Sequence, residues 1–208
     1  MMWACTFVTT KPGVPSHPST APVHEEQLIE AARRGDQQAF ARLMGTYKHM
    51  VFTVCSRVLR NREEAEEATQ DSFVKAYRNL GGYSGGSRFS TWLYSIAYRT
   101  ALSALRARRG GSVNLDEVPE QVVAAPMTGA GKDQDLRLVV EGMLARLPAG
   151  DAALLTLFYL QDRTVEEIVT ITGLSVSNVK VKLHRARQRM LEQMQGHWKQ
   201  EAWTLIND

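Results

Sequence analysis

The sequence predicts an all-α fold, two small helical domains joined by a flexible linker. Three observations predict it. Apolar residues recur at helical spacing from Glu25 to Arg109 with no alternating strand pattern, a Gly- and Pro-containing acidic stretch then interrupts that spacing, and residues 164–190 spell two short helices around a tight turn. With 208 residues, 44% hydrophobic and 23% charged, the chain has material for two cores of this kind.

The net charge of +3 is too small to argue for an anionic partner, so placement carries the argument. Lys and Arg concentrate in 99–109 and 180–189, whereas 63–71 is acidic, which suggests two basic surfaces for nucleic acid and one acidic surface for a protein. Cys5 and Cys55 form neither a disulfide framework nor a metal-ligand spacing, which suits a reducing cytosol. No apolar run reaches the length of a membrane span, and the first residues lack the order of a signal peptide, so a soluble intracellular protein is expected.

Residues 1–24, with Pro12, Pro15, Pro18 and Pro22 among Ser and Thr, are expected to form a disordered tail. The first domain, 25–109, opens with Leu28, Ile29 and Ala32 on one helix face. Gly35 breaks the run, and Asp36 can cap a second helix carrying Ala39, Phe40, Leu43 and Met44. A third helix follows at once, its wide stripe of Tyr47, Met50, Val51, Val54, Cys55, Val58 and Leu59 making Cys55 a core thiol. Asn61 then caps a fourth, with Glu64 three residues on.

That fourth helix turns Ala65, Ala68, Thr69, Phe73, Ala76 and Leu80 inward. Glu63, Glu66, Glu67, Gln70, Asp71, Val74 and Arg78 are left for solvent or a partner, and the early acids also suit the helix dipole. The glycines of 81–88 precede no Lys-Ser or Lys-Thr pair and follow no strand pattern, so they read as a mobile loop feeding a helix and not as a phosphate loop. In that helix Phe89, Trp92, Leu93, Ile96, Ala97 and Thr100 form the buried stripe. Tyr94, Tyr98 and Arg99 are expected on a wetter face that ends in Arg106, Arg108 and Arg109. Aromatics interleaved with arginines beside a loop carrying Arg88 suit single-stranded nucleic acid, where bases stack on rings and phosphates meet guanidinium groups.

Residues 110–132, with Asp116, Glu117 and Glu120, read as the flexible acidic linker. The second domain, 133–196, begins with a helix of Leu136, Val140, Met143, Leu144 and Leu147 stopped by Pro148. Leu154, Leu155, Phe158 and Tyr159 mark the next helix, expected to pack under the pair that follows. In that pair Thr164 and Glu167 have capping-box spacing, Ile168 and Val169 face inward, Gly173 supplies the turn, Leu174 plugs it, and Ser175 or Ser177 caps the second helix. Val176, Val179, Leu183, Ala186 and Met190 fall on one side of the second helix. Asn178, Val181, Arg185 and Gln188 point away, with Ser177, Lys182, His184 and Arg189 beside them and Lys180 in the same basic run. A solvated amphipathic helix would account for the charge alone; capping box, glycine turn, second cap and basic face in this order point to a helix that enters a DNA major groove. Helix is expected past Met190 through Met194 and toward Trp203, and residues 197–208 form a C-terminal tail in which Trp203, Leu205 and Ile206 could cover the domain or meet a partner.

The order EEAEEATQDSFVKAYRNL, RFSTWLYSIAYRTALSALRARR, linker, then LPAGDAALLTLFYLQDRTVEEIVTITGLSVSNVKVKLHRARQRM closely resembles the extracytoplasmic-function sigma factors of the bacterial sigma-70 family, from about Glu25 to Met194. The resemblance implies a promoter-recognition subunit with no catalytic chemistry, cofactor or small-molecule substrate of its own. It implies that 25–109 is sigma region 2 and 133–196 is region 4. Glu66, Glu67, Gln70, Asp71, Val74 and Arg78 would dock on the clamp coiled coil of the RNA polymerase largest subunit, with region 4 at the flap. The loop 82–88 and the helix after it, through Arg88, Tyr94, Tyr98, Arg99, Arg106, Arg108 and Arg109, would capture the minus-ten element as unpaired strand with a flipped base. Ser177, Asn178, Lys180, Val181, Lys182, His184, Arg185 and Gln188 would read the minus-thirty-five duplex. Arg99 stands where many relatives carry a DNA-contacting asparagine, and Asn178 and Val181 where relatives often have Thr and Ser, so the promoter sequence does not transfer. In the family the linker can thread toward the polymerase active site. The resemblance further implies a stress or envelope response, an anti-sigma partner, and a cytoplasmic protein without membrane insertion that such a partner can hold at the inner membrane.

The other class compatible with the helix pair is a helix-turn-helix regulator that binds an operator as a dimer. It needs a sensory domain, and neither a strand pattern nor a pocket signature precedes Arg109. A helical interaction protein without DNA contact leaves both arginine clusters unexplained, and an enzyme has no nucleophile elbow, metal box or nucleotide loop to rest on.

Overall fold

The computed structural model describes the backbone of residues 23–108 and 132–207 and the side chains of residues 24–108 and 139–195. Among these residues every regular element is helical: α1 (Val23–Arg33), α2 (Gln37–Leu59), α3 (Arg62–Asn79), a single 3-10 turn (Leu80–Gly82), α4 (Phe89–Arg108), α5 (Lys132–Arg146), α6 (Ala149–Leu155) running into a π turn (Thr156–Leu160), α7 (Val165–Thr172) and α8 (Val176–Asn207). The expected linker up to residue 131 and most of the expected N-terminal tail lie outside the described residues, and Lys132 already belongs to α5.

The breaks between the first helices follow the local chemistry. Gly35, at φ +96°, makes the left-handed turn that ends α1, and Asp36 Oδ1 then accepts from the backbone N–H of Gln38 (2.8 Å) and Ala39 (3.1 Å) to start α2. The second and third helices expected from the sequence are one 23-residue helix. A helical glycine such as Gly45 costs only about 1 kcal/mol, less than is gained by keeping Phe40, Leu43, Tyr47, Val51, Val54 and Val58 on one buried stripe. Arg60 closes α2 in the left-handed conformation, and Asn61 Oδ1 accepts from Glu64 N at 2.9 Å to begin α3.

α2, α3 and α4 pack against one another, with α1 laid across α2. Tyr47 donates its hydroxyl to Glu25 Oε1 at 2.5 Å; burial, and then this acceptor, push the phenol well above its ordinary range. Small residues on α3, Ala65, Ala68 and Ala76, are buried, as expected, and allow close helix approach. Thr69 is only half-buried, whereas Ser72 is fully buried and returns its hydroxyl to Ala68 O. Cys55 is the core thiol expected of it, and burial raises its pKa to about 11.

In the C-terminal half, α5, α6, α7 and α8 form the second helical group. Met143, Leu144 and Leu147 are buried and Val140 half-buried, while the side chain of Leu136 lies outside the described residues. All seven residues of α6 are buried. The wider π turn then shifts the helical phase, so Leu154 and Leu155 are buried but Tyr159, expected inward, is 46% exposed. α8 continues through the expected helical stretch near Trp203 to Asn207.

The two helical groups do not stand apart. α6 lies between α2 and α8, α4 packs on α7, and the buried side chains from Ile29 to Ala186 form one continuous apolar cluster. The linker composition predicts a tether; it does not predict that the tethered halves close on each other.

Candidate nucleic-acid and polymerase interfaces

The helix pair forms through the local bonds its sequence encodes. Thr164 Oγ1 accepts from Glu167 N (3.1 Å) while Glu167 Oε2 accepts from Thr164 N (2.9 Å), completing the capping box. Gly173, at φ +75°, donates its N–H to Val169 O at 2.8 Å and reverses the chain, and Ser175 Oγ accepts from Asn178 N at 3.3 Å to open α8. Val179, Leu183 and Ala186 anchor α8 in the core, with Met190 packed against it. Val176, expected on that inward side, is instead 44% exposed, because it lies in the first turn, beyond the edge of the core.

The opposite face of α8 is accessible. Ser177, Asn178, Lys180, Val181, His184, Arg185 and Gln188 are exposed and Lys182 is half-exposed. Not every cation of this run is spent outward. Arg187 Nε donates to Leu183 O at 3.1 Å, and Arg189 pairs with the buried carboxylate of Asp151, tying α8 to α6. What remains outward is a row of short donors and acceptors flanked by Lys and Arg around one apolar side chain, Val181. Such a row can meet base edges, phosphates and a thymine methyl.

On α3, Glu66, Glu67, Gln70, Asp71, Val74 and Arg78 are all exposed, and Glu66 is paired with Arg62 at 2.9 Å. Val74 is 47% exposed on this charged face, and Tyr77 beside it stacks on Phe40 with ring centroids 4.9 Å apart. An exposed apolar side chain with Gln70, Asp71, Tyr77 and Arg78 around it on the helix offers a partner both apolar and polar contact.

The third surface departs most from expectation. Tyr83 anchors the loop by donating its hydroxyl to Ser87 O at 2.7 Å while its ring meets Phe89 and Trp92 at 5.5 and 5.3 Å. Trp92 is half-buried in that cluster, Arg88 is half-buried, and Arg99 and Arg106 are exposed. Arg108 pairs with Glu64 at 3.0 Å, and Arg109 lies outside the described residues. Tyr94 and Tyr98, expected on a wetter face, are 0% and 3% exposed.

The reason for Tyr94 is that the segment before α7 covers that side of α4. Tyr94 donates its hydroxyl to Gln161 Oε1 at 3.0 Å, the Arg163 guanidinium lies 5.6 Å from its ring centroid, and burial, opposed by Arg163, raises the phenol to about 12. Sequence reasoning missed Ser90, Thr91, Gln161 and Arg163 altogether. It also missed Lys75, Asn79 and Ser103, which with Arg99 and Thr100 line a shallow groove between α3 and α4. A signal for the groove was present: Lys75 and Asn79 are four residues apart, on the non-acidic end of an otherwise acidic helix.

Comparison with known proteins accords with this architecture. The family model for sigma-70 region 2 matches residues 43–110 and that for sigma-70 region 4 matches residues 137–190. The chain is therefore a sigma factor of the sigma-70 class, a non-enzymatic subunit that directs RNA polymerase to promoters. It is 31% identical over 181 residues to the RNA polymerase sigma-H factor of Pseudomonas aeruginosa, covering 82% of this chain and 94% of that one. It is 32% identical over 183 residues to the ECF RNA polymerase sigma-E factor of Escherichia coli K12, covering 82% and 94%. More narrowly, the chain belongs to the extracytoplasmic-function sigma factors. Its fold is also that of the sigma factor RpoE solved in complex with the anti-sigma factor NepR from Bartonella quintana, with a TM-score of 0.59 at 21% identity over 75% of this chain and 96% of that one.

Proposed function

We propose that the labour of promoter recognition is divided among the three surfaces described above. α8 reads the minus-thirty-five duplex through Ser177, Asn178, Lys180, Val181, Lys182, His184, Arg185 and Gln188. The observation that carries this is an exposed donor-rich face on a helix whose other side is locked into the core by Val179, Leu183 and Ala186. α3 docks on the polymerase clamp through Glu66, Glu67, Gln70, Asp71, Val74 and Arg78, a reading supported by the exposure of all six on one helix and by exposed Val74 among them.

The loop 82–88 and α4 take the melted minus-ten strand. Exposed Arg99 and Arg106, with the Tyr83–Phe89–Trp92 cluster beside Arg88, supply cations and rings, and the groove of Lys75, Asn79, Thr100 and Ser103 adds donors for a phosphate. Arg109 belongs to the same basic run. Tyr94 and Tyr98 can join this surface only when it is uncovered. Family likeness supports an anti-sigma partner and a stress or envelope response. It also supports action in the cytoplasm, with sequestration at the inner membrane when that partner is anchored there. No helix among the described residues is long and apolar enough to cross a membrane.

Run-off transcription with core polymerase on a promoter library tests the reading directly. Transcripts confined to templates that share spaced upstream and downstream elements are expected, and no transcript from any template would refute it.

A further inference from the structure

α6 carries a charged side chain in a place where apolar packing would suffice. Of its seven residues, AGDAALL, six are small or apolar and Asp151 is the single titratable group, yet Asp151 is only 2% exposed. A carboxylate so far removed from water is costly to keep ionised unless a cation meets it. That cation is Arg189, whose guanidinium donates to Asp151 Oδ2 and whose own side chain is 46% exposed. One end of the bond is dry and the other is wet. The position of Asp151 in the first turn of α6 also lets the helix dipole favour its negative charge.

Arg189 stands at the edge of the outward face of α8. At about 100° per residue it lies roughly 40° round the helix from Arg185 and about one turn further on, on the side next to buried Ala186. Spacing alone would therefore add it to the row that can meet DNA phosphates. The bond to α6 turns it back. The two acceptors are unequal, because a carboxylate shielded from water attracts the guanidinium through little solvent, whereas salt and hydration screen a phosphate on the duplex surface. Asp151 keeps Arg189 when DNA arrives.

We infer that Asp151 is a positioning residue for duplex reading: it withholds the Arg189 guanidinium from the phosphates and fixes the rotation of α8 on α6. The inference rests on the assignment of α8 as the duplex-reading helix. Val179, Leu183 and Ala186 hold α8 by apolar contact, which sets its depth but has no preferred direction. The Arg189–Asp151 bond is directional and lies about one turn beyond Ala186. It lowers the attraction of α8 for any duplex and holds Asn178, Val181 and Arg185 at one angle to the base edges, which favours the correct sequence over others.

The test is the salt dependence of binding by holoenzyme, assembled from core polymerase and the full chain, to a labelled duplex that supports run-off transcription and to a scrambled duplex of equal length. Each phosphate neutralised adds about 0.9 to the slope of log affinity against log salt, roughly a 3.5-fold change in affinity over about a fourfold change in salt. Arg189→Ala is expected to leave that slope unchanged. Asp151→Asn, which keeps the side-chain shape and frees Arg189, should steepen it by about 0.9 and strengthen binding to the scrambled duplex more than to the promoter. The double variant Asp151→Asn/Arg189→Ala should return the slope to that of wild type. A bond that only stabilises the fold would lower the melting temperature and leave every slope in place; that result overturns the inference. An Arg189→Ala slope shallower by about 0.9 overturns it too, by placing Arg189 on a phosphate in the wild type, and this arm decides the matter even where Asp151→Asn does not fold. If Arg185→Ala leaves promoter binding unchanged, the reading of α8 has failed and the inference falls with it. If Arg185→Ala weakens binding while the Asp151→Asn slope stays at the wild-type value, the reading stands and this inference alone has failed.

Discussion

Arg163 reaches across from the segment before α7 to Ser90 on α4, 73 positions earlier in the chain, with its guanidinium nitrogen 2.9 Å from the serine hydroxyl and its central carbon 5.6 Å from the Tyr94 ring centroid. This one side chain joins the half that would open DNA to the half that would read it, from a position just before the capping box of α7.

Arg185 is exposed on the outward face of α8 and makes no contribution to the core. Arg185→Ala is expected to weaken promoters that depend on the upstream element by about 1–3 kcal/mol, and to leave polymerase association unchanged. Footprinting and polymerase pull-down on the same samples check both halves; an unchanged footprint would remove Arg185 from the interface.

Glu67 and Asp71 are exposed on α3 and belong to none of the buried contacts that hold the helix. Reversing both charges to Lys should impair capture of core polymerase at physiological salt while the melting curve stays within about 0.5 kcal/mol of wild type. Full association in a pull-down would show that the acidic face is solvated and nothing more.

Thr164→Ala removes the acceptor for Glu167 N and is expected to cost about 1 kcal/mol. Gly173→Ala places a side chain at φ +75° and should cost a similar amount or more, although nothing lies within 4 Å of the added methyl. Urea midpoints measure both. Equal loss in two-element and upstream-only binding would tie the effect to helix-pair stability and not to a lost DNA contact.

Alkaline pH should loosen the molecule. Cys55 titrates at about 11 and Tyr94 at about 12 in the folded chain, both raised mainly by burial, with Arg163 opposing and Glu167 reinforcing the shift at Tyr94. A raised folded pKa means the stabilising contribution is complete below the unfolded values of about 8.5 and 10, and is lost as pH rises through the folded ones. Unfolding free energy is therefore expected to fall between about pH 9 and 12, with about 2 kcal/mol of the loss absent in Tyr94→Phe. A pH profile for that variant parallel to wild type would contradict this role for the buried phenol.

The helix pair was legible residue by residue because each of its bonds spans at most four positions: Thr164 with Glu167, Gly173 with Val169, Ser175 with Asn178. The same short range made Asp36 and Asn61 readable as caps. The acidic face of α3 was legible as charge, though the proposal that it docks on polymerase came from family likeness. α4 was misread on one side only. Phe89, Leu93, Ala97 and Thr100 are buried as their spacing requires, whereas Tyr94 and Tyr98 lie off that stripe, and off-stripe positions are normally wet.

Caps, turns and apolar periodicity act within a few residues, so the helical fold, most of the helix ends and the cationic outward face of α8 were legible in the sequence. Tertiary packing was needed to bury α6 between α2 and α8 and to lay the segment carrying Gln161 and Arg163 over Tyr94. The partners in those contacts are separated by dozens of positions, and burial of a second helix face leaves no periodic trace in the helix that undergoes it.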